Sequence, residues 1–149
     1  MVAPRVVRLP RARAEEMIAH AREGKPEEVC GLVASDQSGA IVATLRVVNA
    51  ATDKIITYHM EPQSQYEAFK RIDEQGWELY GLYHSHPATV PYPSLTDQGL
   101  AFDPFDNTPL YPDAVYFILG LADPASPIIR AYLLPDPETI VELPIEIID

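Results

Sequence analysis

Apolar and polar positions change period several times along the chain, and each change predicts an element. From Arg11 to Glu23, Met17, Ile18 and Ala21 form an apolar stripe at helical spacing; Leu9-Pro10 leads in and Gly24 supplies a stop. Glu28–Ala34 and Ala40–Val48 have the spacing of two strands, joined by the turn-forming run Ser35-Asp36-Gln37-Ser38-Gly39. Thr57–Met60 is short enough for one further small strand. Pro62 opens a second helical pattern in which Tyr66, Phe69 and Ile72 step by three, and Gly76 stands where a helix-ending glycine belongs. Glu78–Tyr83 is a strand aimed at His84-Ser85-His86. The stretch from Pro87 to Pro112 carries six prolines, which exclude regular structure except for a short helix near Ser94. Ala114–Leu121 and Ile128–Leu134 are two more strands, and Thr139–Ile148 is a last, edge-like strand interrupted by Pro144. Strands broken up by two or three helices predict an α/β layer fold with a mixed sheet flanked by helices.

Length and composition narrow this to a single globular domain over residues 1–149. Hydrophobic residues make up 47% of the chain and charged ones 22%, and no internal repeat or long linker divides it. No apolar run approaches the roughly 20 residues that span a bilayer, and Met1–Pro10 lacks the apolar stretch of a secretory signal. The expected setting is therefore cytoplasmic, with no membrane partner. Cys30 is the sole cysteine, which excludes an internal disulfide.

The net charge of −11 is unevenly spread. Residues 1–71 hold 10 of the 11 Lys and Arg against 9 acids, whereas residues 72–149 hold Arg130 against 13 acids. A polyanion is repelled from that half, so no nucleic-acid partner is expected and a basic partner is easier to accommodate. The acids serve equally as a solvated surface that keeps the chain in solution.

The chemistry concentrates in His84-Ser85-His86-Pro87, six residues, then Ser94-Leu95-Thr96-Asp97. At a strand end, residues i and i+2 point the same way, so the two imidazoles converge, and ten intervening residues let the chain return with Asp97. Two imidazoles and one carboxylate suit Zn2+ and leave its fourth position for water, as a catalytic site requires. Taken singly, each residue has a plainer explanation. His84 and His86 could be satisfied histidines at a strand end, and Ser94 with Asp97 has the Ser-x-x-Asp form of a capping box. The two roles of Ser94 are compatible, because a serine that caps a helix beside a metal can also donate to an oxyanion.

These residues resemble the signature of the JAMM/MPN metallopeptidase family: Glu, then His-Ser/Thr-His-Pro, six residues, Ser, two residues, Asp. The resemblance runs from about residue 6 to 135 and implies an MPN-like fold. It makes His84, His86 and Asp97 zinc ligands, Ser94 a stabiliser of the tetrahedral intermediate, and Glu28 in Glu28-Val29-Cys30-Gly31-Leu32 the general base. Alternation along that strand groups Glu28 with Cys30 and Leu32, and Glu27 is the neighbouring acid that competes for the role. Cys30, within an apolar strand, is expected to be a small buried residue rather than a nucleophile. His20 and His59 have no part in the scheme and are expected on a helix surface and in a strand.

Within the family, Tyr83-His84-Ser85-His86, Ala88-Thr89, Tyr92-Pro93-Ser94 and Thr96-Asp97, with Met60-Glu61-Pro62 upstream, are most similar to bacterial Mec-type peptidases. The chain departs from that group at Pro87 and by an insertion at Phe102–Pro112. The similarity implies release of cysteine from the C-terminal Gly-Gly of a ubiquitin-like sulfur carrier of the CysO type, in cysteine biosynthesis. The alternatives are an isopeptidase that removes ubiquitin-like modifiers from lysines and a non-catalytic MPN scaffold, whose members typically lack the ligands. A nucleoside deaminase would need His-x-Glu with Pro-Cys-x-x-Cys, which is absent. The apolar segment Phe102–Tyr111 is expected to cover either a substrate tail or a second copy of the chain in a homodimer.

Overall fold

The computed structural model describes residues 5–149. Of Met1–Pro10, the stretch without the apolar run of a secretory signal, residues 1–4 lie outside the described residues. The elements run β1 (Val7–Pro10), α1 (Arg11–Gly24), β2 (Cys30–Ser35), β3 (Ile41–Val47), α2 (Pro62–Glu74), β4 (Glu78–His86), α3 (Leu95–Leu100), β5 (Val115–Gly120), β6 (Ile128–Asp136), β7 (Thr139–Leu143) and β8 (Ile145–Ile148). Six strands form one mixed sheet in the order β3-β2-β4-β5-β6-β7; β4 and β5 are parallel and every other pair is antiparallel. No helix among the described residues is long and apolar enough to cross a membrane.

Because side chains alternate across a strand, the sheet buries two separate apolar faces. On one, Val33, Tyr83, Phe117 and Ala131 pack against Ala14, Met17 and Ala21 of α1 and against Val7 and Leu9 of β1. On the other, Cys30, Leu32, Leu82 and Tyr116 pack with Ala68 and Ile72 of α2 and with Tyr58, Met60 and Phe102. The result is a layered α/β fold, its mixed sheet flanked by helices. In α2 the buried stripe is Ala68 and Ile72 with Phe69 beside them, whereas Tyr66, expected on that stripe, faces solvent at 62% exposure. The helix starts where its first N–H groups find an acceptor: the Glu61 carboxylate takes Gln63 N–H and Ser64 N–H at 3.0 and 2.6 Å.

Two expectations are corrected. Thr139–Ile148 is two strands rather than one. Pro144 has no N–H to continue the ladder of β7, and the residues beyond it leave the large sheet to pair in parallel with β1. Thr57–Met60 forms only an isolated bridge between Met60 and Asn49, so exposed His59 is not in a strand. α1 does end at Gly24, and Val29 packs so closely there that a Cβ would collide with its Cγ1.

Candidate metal centre

β4 continues through the two histidines, and this extension builds the site. Cys30 pairs with His84 in the antiparallel ladder, so the residue two before Cys30 comes opposite His86. Ser85, whose side chain points to the other face, ties the two strands beyond the last ladder pair. Its Oγ accepts Val29 N–H at 2.9 Å and its N–H donates to Val29 O at 3.0 Å. Glu28 N–H donates to Lys54 O at 2.7 Å, and Asn49 Nδ2 donates to Glu28 O at 2.9 Å. Asn49 also donates to Thr57 O, and its Oδ1 accepts Ala51 N–H and His59 N–H, so one side chain binds the 50–59 loop to the backbone of Glu28.

The structure brings Glu28, His84, His86 and Asp97 together, all buried, with one donor atom from each within 4.8 Å of the others. His84 Nε2, His86 Nε2 and Asp97 Oδ2 form a triangle with all three edges at 3.1 Å. Ligand atoms about 2.0 to 2.1 Å from a tetrahedral ion lie roughly 3.3 Å apart, so the triangle matches one face of such a site. His86 Nδ1–H donates to Val90 O at 2.8 Å, which in neutral imidazole leaves Nε2 a bare acceptor facing a carboxylate oxygen. A positive charge, either a second proton on His86 or an ion among the three atoms, reconciles these lone pairs, and two imidazoles with one carboxylate are a donor set that fits zinc. Glu28 Oε1 lies beside the triangle, buried and without a hydrogen-bond partner. A group at that oxygen would be both desolvated and uncompensated unless water or substrate meets it.

Burial pushes the Glu28 carboxyl up to about 7, with the charge of Asp97 adding to the rise and His86 opposing it. Burial also disfavours the charged form of Asp97, but hydrogen bonds from His84 and His86 outweigh it and hold the carboxyl below its ordinary value. Burial lowers the His84 imidazole. The Cys30 thiol is pushed up to about 12, first by burial and then by Glu28, so it stays protonated and is no candidate nucleophile.

Ser94 sits on the rim and makes the capping box read from the sequence: its Oγ accepts Asp97 N–H at 3.0 Å, and its own N–H donates to Asp97 Oδ2 at 2.9 Å. The box thus orients the carboxylate as well as the helix. Among the described residues the Ser94 hydroxyl proton has no protein acceptor. Tyr58 stacks on His84 with ring centroids 4.5 Å apart, walling one side. Beyond Tyr58 lies a cavity of about 380 Å³, lined in part by Met60, Leu82, Leu100, Phe102 and Tyr116. The 102–111 segment is divided: Phe102 is buried in the core, whereas Phe105 at its tip is 96% exposed. His20 is not a free surface residue. Its Nδ1 lies 2.7 Å from the Tyr83 hydroxyl on the opposite face of the sheet, away from the metal triangle. Ser85, Asn49 and Val90 are the contributors sequence reasoning missed. Only Ser85 carried a signal, as the Ser/Thr position between the histidines.

The chain matches the profile of Prok-JAB, prokaryotic homologs of the JAB domain, over residues 10–133. It is 35% identical over 89 residues to a desampylase of Haloferax volcanii, a match that covers 56% of this chain and 64% of that protein, under two thirds of its length. It is 29% identical over 134 residues to the CysO-cysteine peptidase of Mycobacterium tuberculosis, covering 89% of this chain and 85% of that one. A solution structure from Desulfitobacterium hafniense superposes with a TM-score of 0.80 at 31% identity, covering 97% of this chain and 94% of that one. A JAB1/MPN domain protein from Archaeoglobus fulgidus shares the fold at a TM-score of 0.56 and 16% identity, over 95% and 98% of the two chains. With α1, all four clustered residues and most of the sheet inside the matched range, this chain belongs to the prokaryotic JAB-domain family, a branch of the JAMM/MPN proteins.

Proposed function

We propose that this chain is a zinc metallopeptidase that cleaves the bond after the C-terminal glycine of a ubiquitin-like sulfur-carrier protein, releasing cysteine. The observation that carries the reading is the buried triangle of His84, His86 and Asp97 with the unpartnered Glu28 oxygen beside it. Those three residues would hold the ion. When bound, zinc supplies Lewis acidity and lowers the pKa of a water toward about 7.

Glu28 then takes the proton of the attacking water and returns it to the departing amine. Burial raises this carboxyl and a bound ion pulls it back, which keeps it ionised and able to accept a proton near neutral pH. Ser94 would donate its hydroxyl proton to the oxyanion, a role its bond from Asp97 N–H leaves free. The buried face around Tyr58 excludes water from one side of the centre, and the adjoining cavity offers room for the acyl segment of the substrate. An extended Gly-Gly tail suits this setting, because residues without side chains pass a narrow cleft and backbone pairing supplies affinity. Similarity to the CysO-cysteine peptidase over most of both chains supports cysteine as the leaving group.

A second reading, with a protein lysine as the leaving amine, is supported by the higher local identity to the desampylase. The same centre serves either amine, and the substrate decides. The test offers the cognate Gly-Gly carrier with either a C-terminal cysteine or a lysine-linked protein, and follows each by intact mass. The cysteine adduct is expected to be cut faster. Rapid release of the linked protein with the cysteine adduct left intact would overturn cysteine release and keep the peptidase. Cleavage of neither would favour the scaffold.

A further inference from the structure

A buried tyrosine outside the metal cluster lies one residue along the chain from the carbonyl that meets His86. The His86 ring is fixed through Nδ1–H to Val90 O, but the Val90 side chain is 71% exposed and contributes little to holding that carbonyl in place. What holds it is the next residue. Pro91 is buried, its carbonyl accepts the Tyr132 hydroxyl at 2.6 Å, and Tyr92 N–H turns back onto Val90 O at 2.8 Å. Tyr132, on β6, is completely buried, and the Tyr92 ring meets it edge-on at 5.7 Å. The other side of Pro91 is bounded by Gly120, the register partner of His86 on β5. A Cβ there would stand 2.9 Å from Pro91 Cδ, closer than atoms pack, and a proline ring has little freedom to yield.

We propose that Tyr132 is a positioning residue: by holding Pro91 against Gly120 it sets the Val90 carbonyl, and through it the orientation and tautomer of the His86 imidazole. The inference rests on the reading of His86 as a metal ligand, since a hydrogen bond to the distal ring nitrogen keeps Nε2 free for the ion. Burial pushes the Tyr132 hydroxyl up to about 12, so it remains a donor across the working range of pH.

The test compares the full-length wild type with Tyr132→Phe, which keeps the ring, and Gly120→Ala, which pushes Pro91 from the other side. Zinc affinity is measured by competition with a chromophoric chelator, and the His86 tautomer by nitrogen NMR of the zinc-free protein. Both variants are expected to bind zinc about 10- to 100-fold more weakly, the cost typical of losing a partner behind a ligand. The His86 signals should move from a single Nδ1–H tautomer toward a mixture. A wild-type tautomer and affinity in Tyr132→Phe would overturn the proposal, even if the variant melts at a lower temperature, because the hydroxyl would then be only structural. A wild type that takes up no zinc would refute the metal reading, whereas the NMR comparison still decides the role of Tyr132.

Discussion

Glu28→Gln is expected to keep one zinc per chain and to lose turnover by about 10²- to 10⁴-fold, the range that a positioned proton acceptor contributes. The substitution preserves size and the backbone contacts to Lys54, Asn49 and Ser85 through Val29, so the strand end stays in place. What it removes is the proton-accepting carboxylate, whose Oε1 is buried without a partner among the described residues. Glu27, next in the chain, is exposed at a bend and is not among the four clustered residues. The pH profile supplies an independent check. A base must be ionised, so activity falls as pH drops through its pKa; burial places Glu28 near 7, and a bound cation pulls it lower. The acid limb of kcat/KM should therefore lie below 7 in the wild type. Near-normal turnover in the variant would move the base elsewhere.

The parts of the site that were legible in the sequence are those whose geometry is local. His84 and His86 share a face because residues two apart on any strand do, and Ser94 and Asp97 share a helix turn through a capping box. The grouping of Glu28 with Cys30 and Leu32 follows from the same alternation, and their common face is the one the histidines use. Long-range partners were not legible. Asn49 becomes a hub only because the 50–59 loop folds back over Glu28, and nothing in the spacing of Asn49 announces four hydrogen bonds. Tyr132 lies 41 residues from Pro91, and its apolar neighbours on β6 explain its burial without any partner for its hydroxyl. The β1–β8 pair was missed for a related reason. Four residues carry too short an alternation to mark a strand, and the pairing joins opposite ends of the chain.

His86→Ala is expected to abolish stoichiometric zinc binding and, with it, peptidase activity. The loss removes one corner of the 3.1 Å triangle and leaves two protein donors, His84 and Asp97, where a catalytic zinc site needs three. No other imidazole is near: His20 lies on the opposite face of the sheet, His59 is exposed, and Glu28, the remaining member of the cluster, offers only a carboxylate. The damage should exceed the roughly 10- to 100-fold cost of losing a hydrogen-bond partner behind a ligand, because here the ligand itself is gone. The fold should survive. Residue 86 keeps its backbone place beside Gly120 in the parallel β4–β5 ladder, and its carbonyl still accepts Leu121 N–H, since neither contact uses the imidazole. A folded, zinc-free variant therefore separates ligand loss from unfolding, with metal content measured by elemental analysis and folding by circular dichroism. Full zinc occupancy in His86→Ala would show that the ion is held elsewhere, and the triangle would then have to be explained as a hydrogen-bonded cluster built around a protonated histidine.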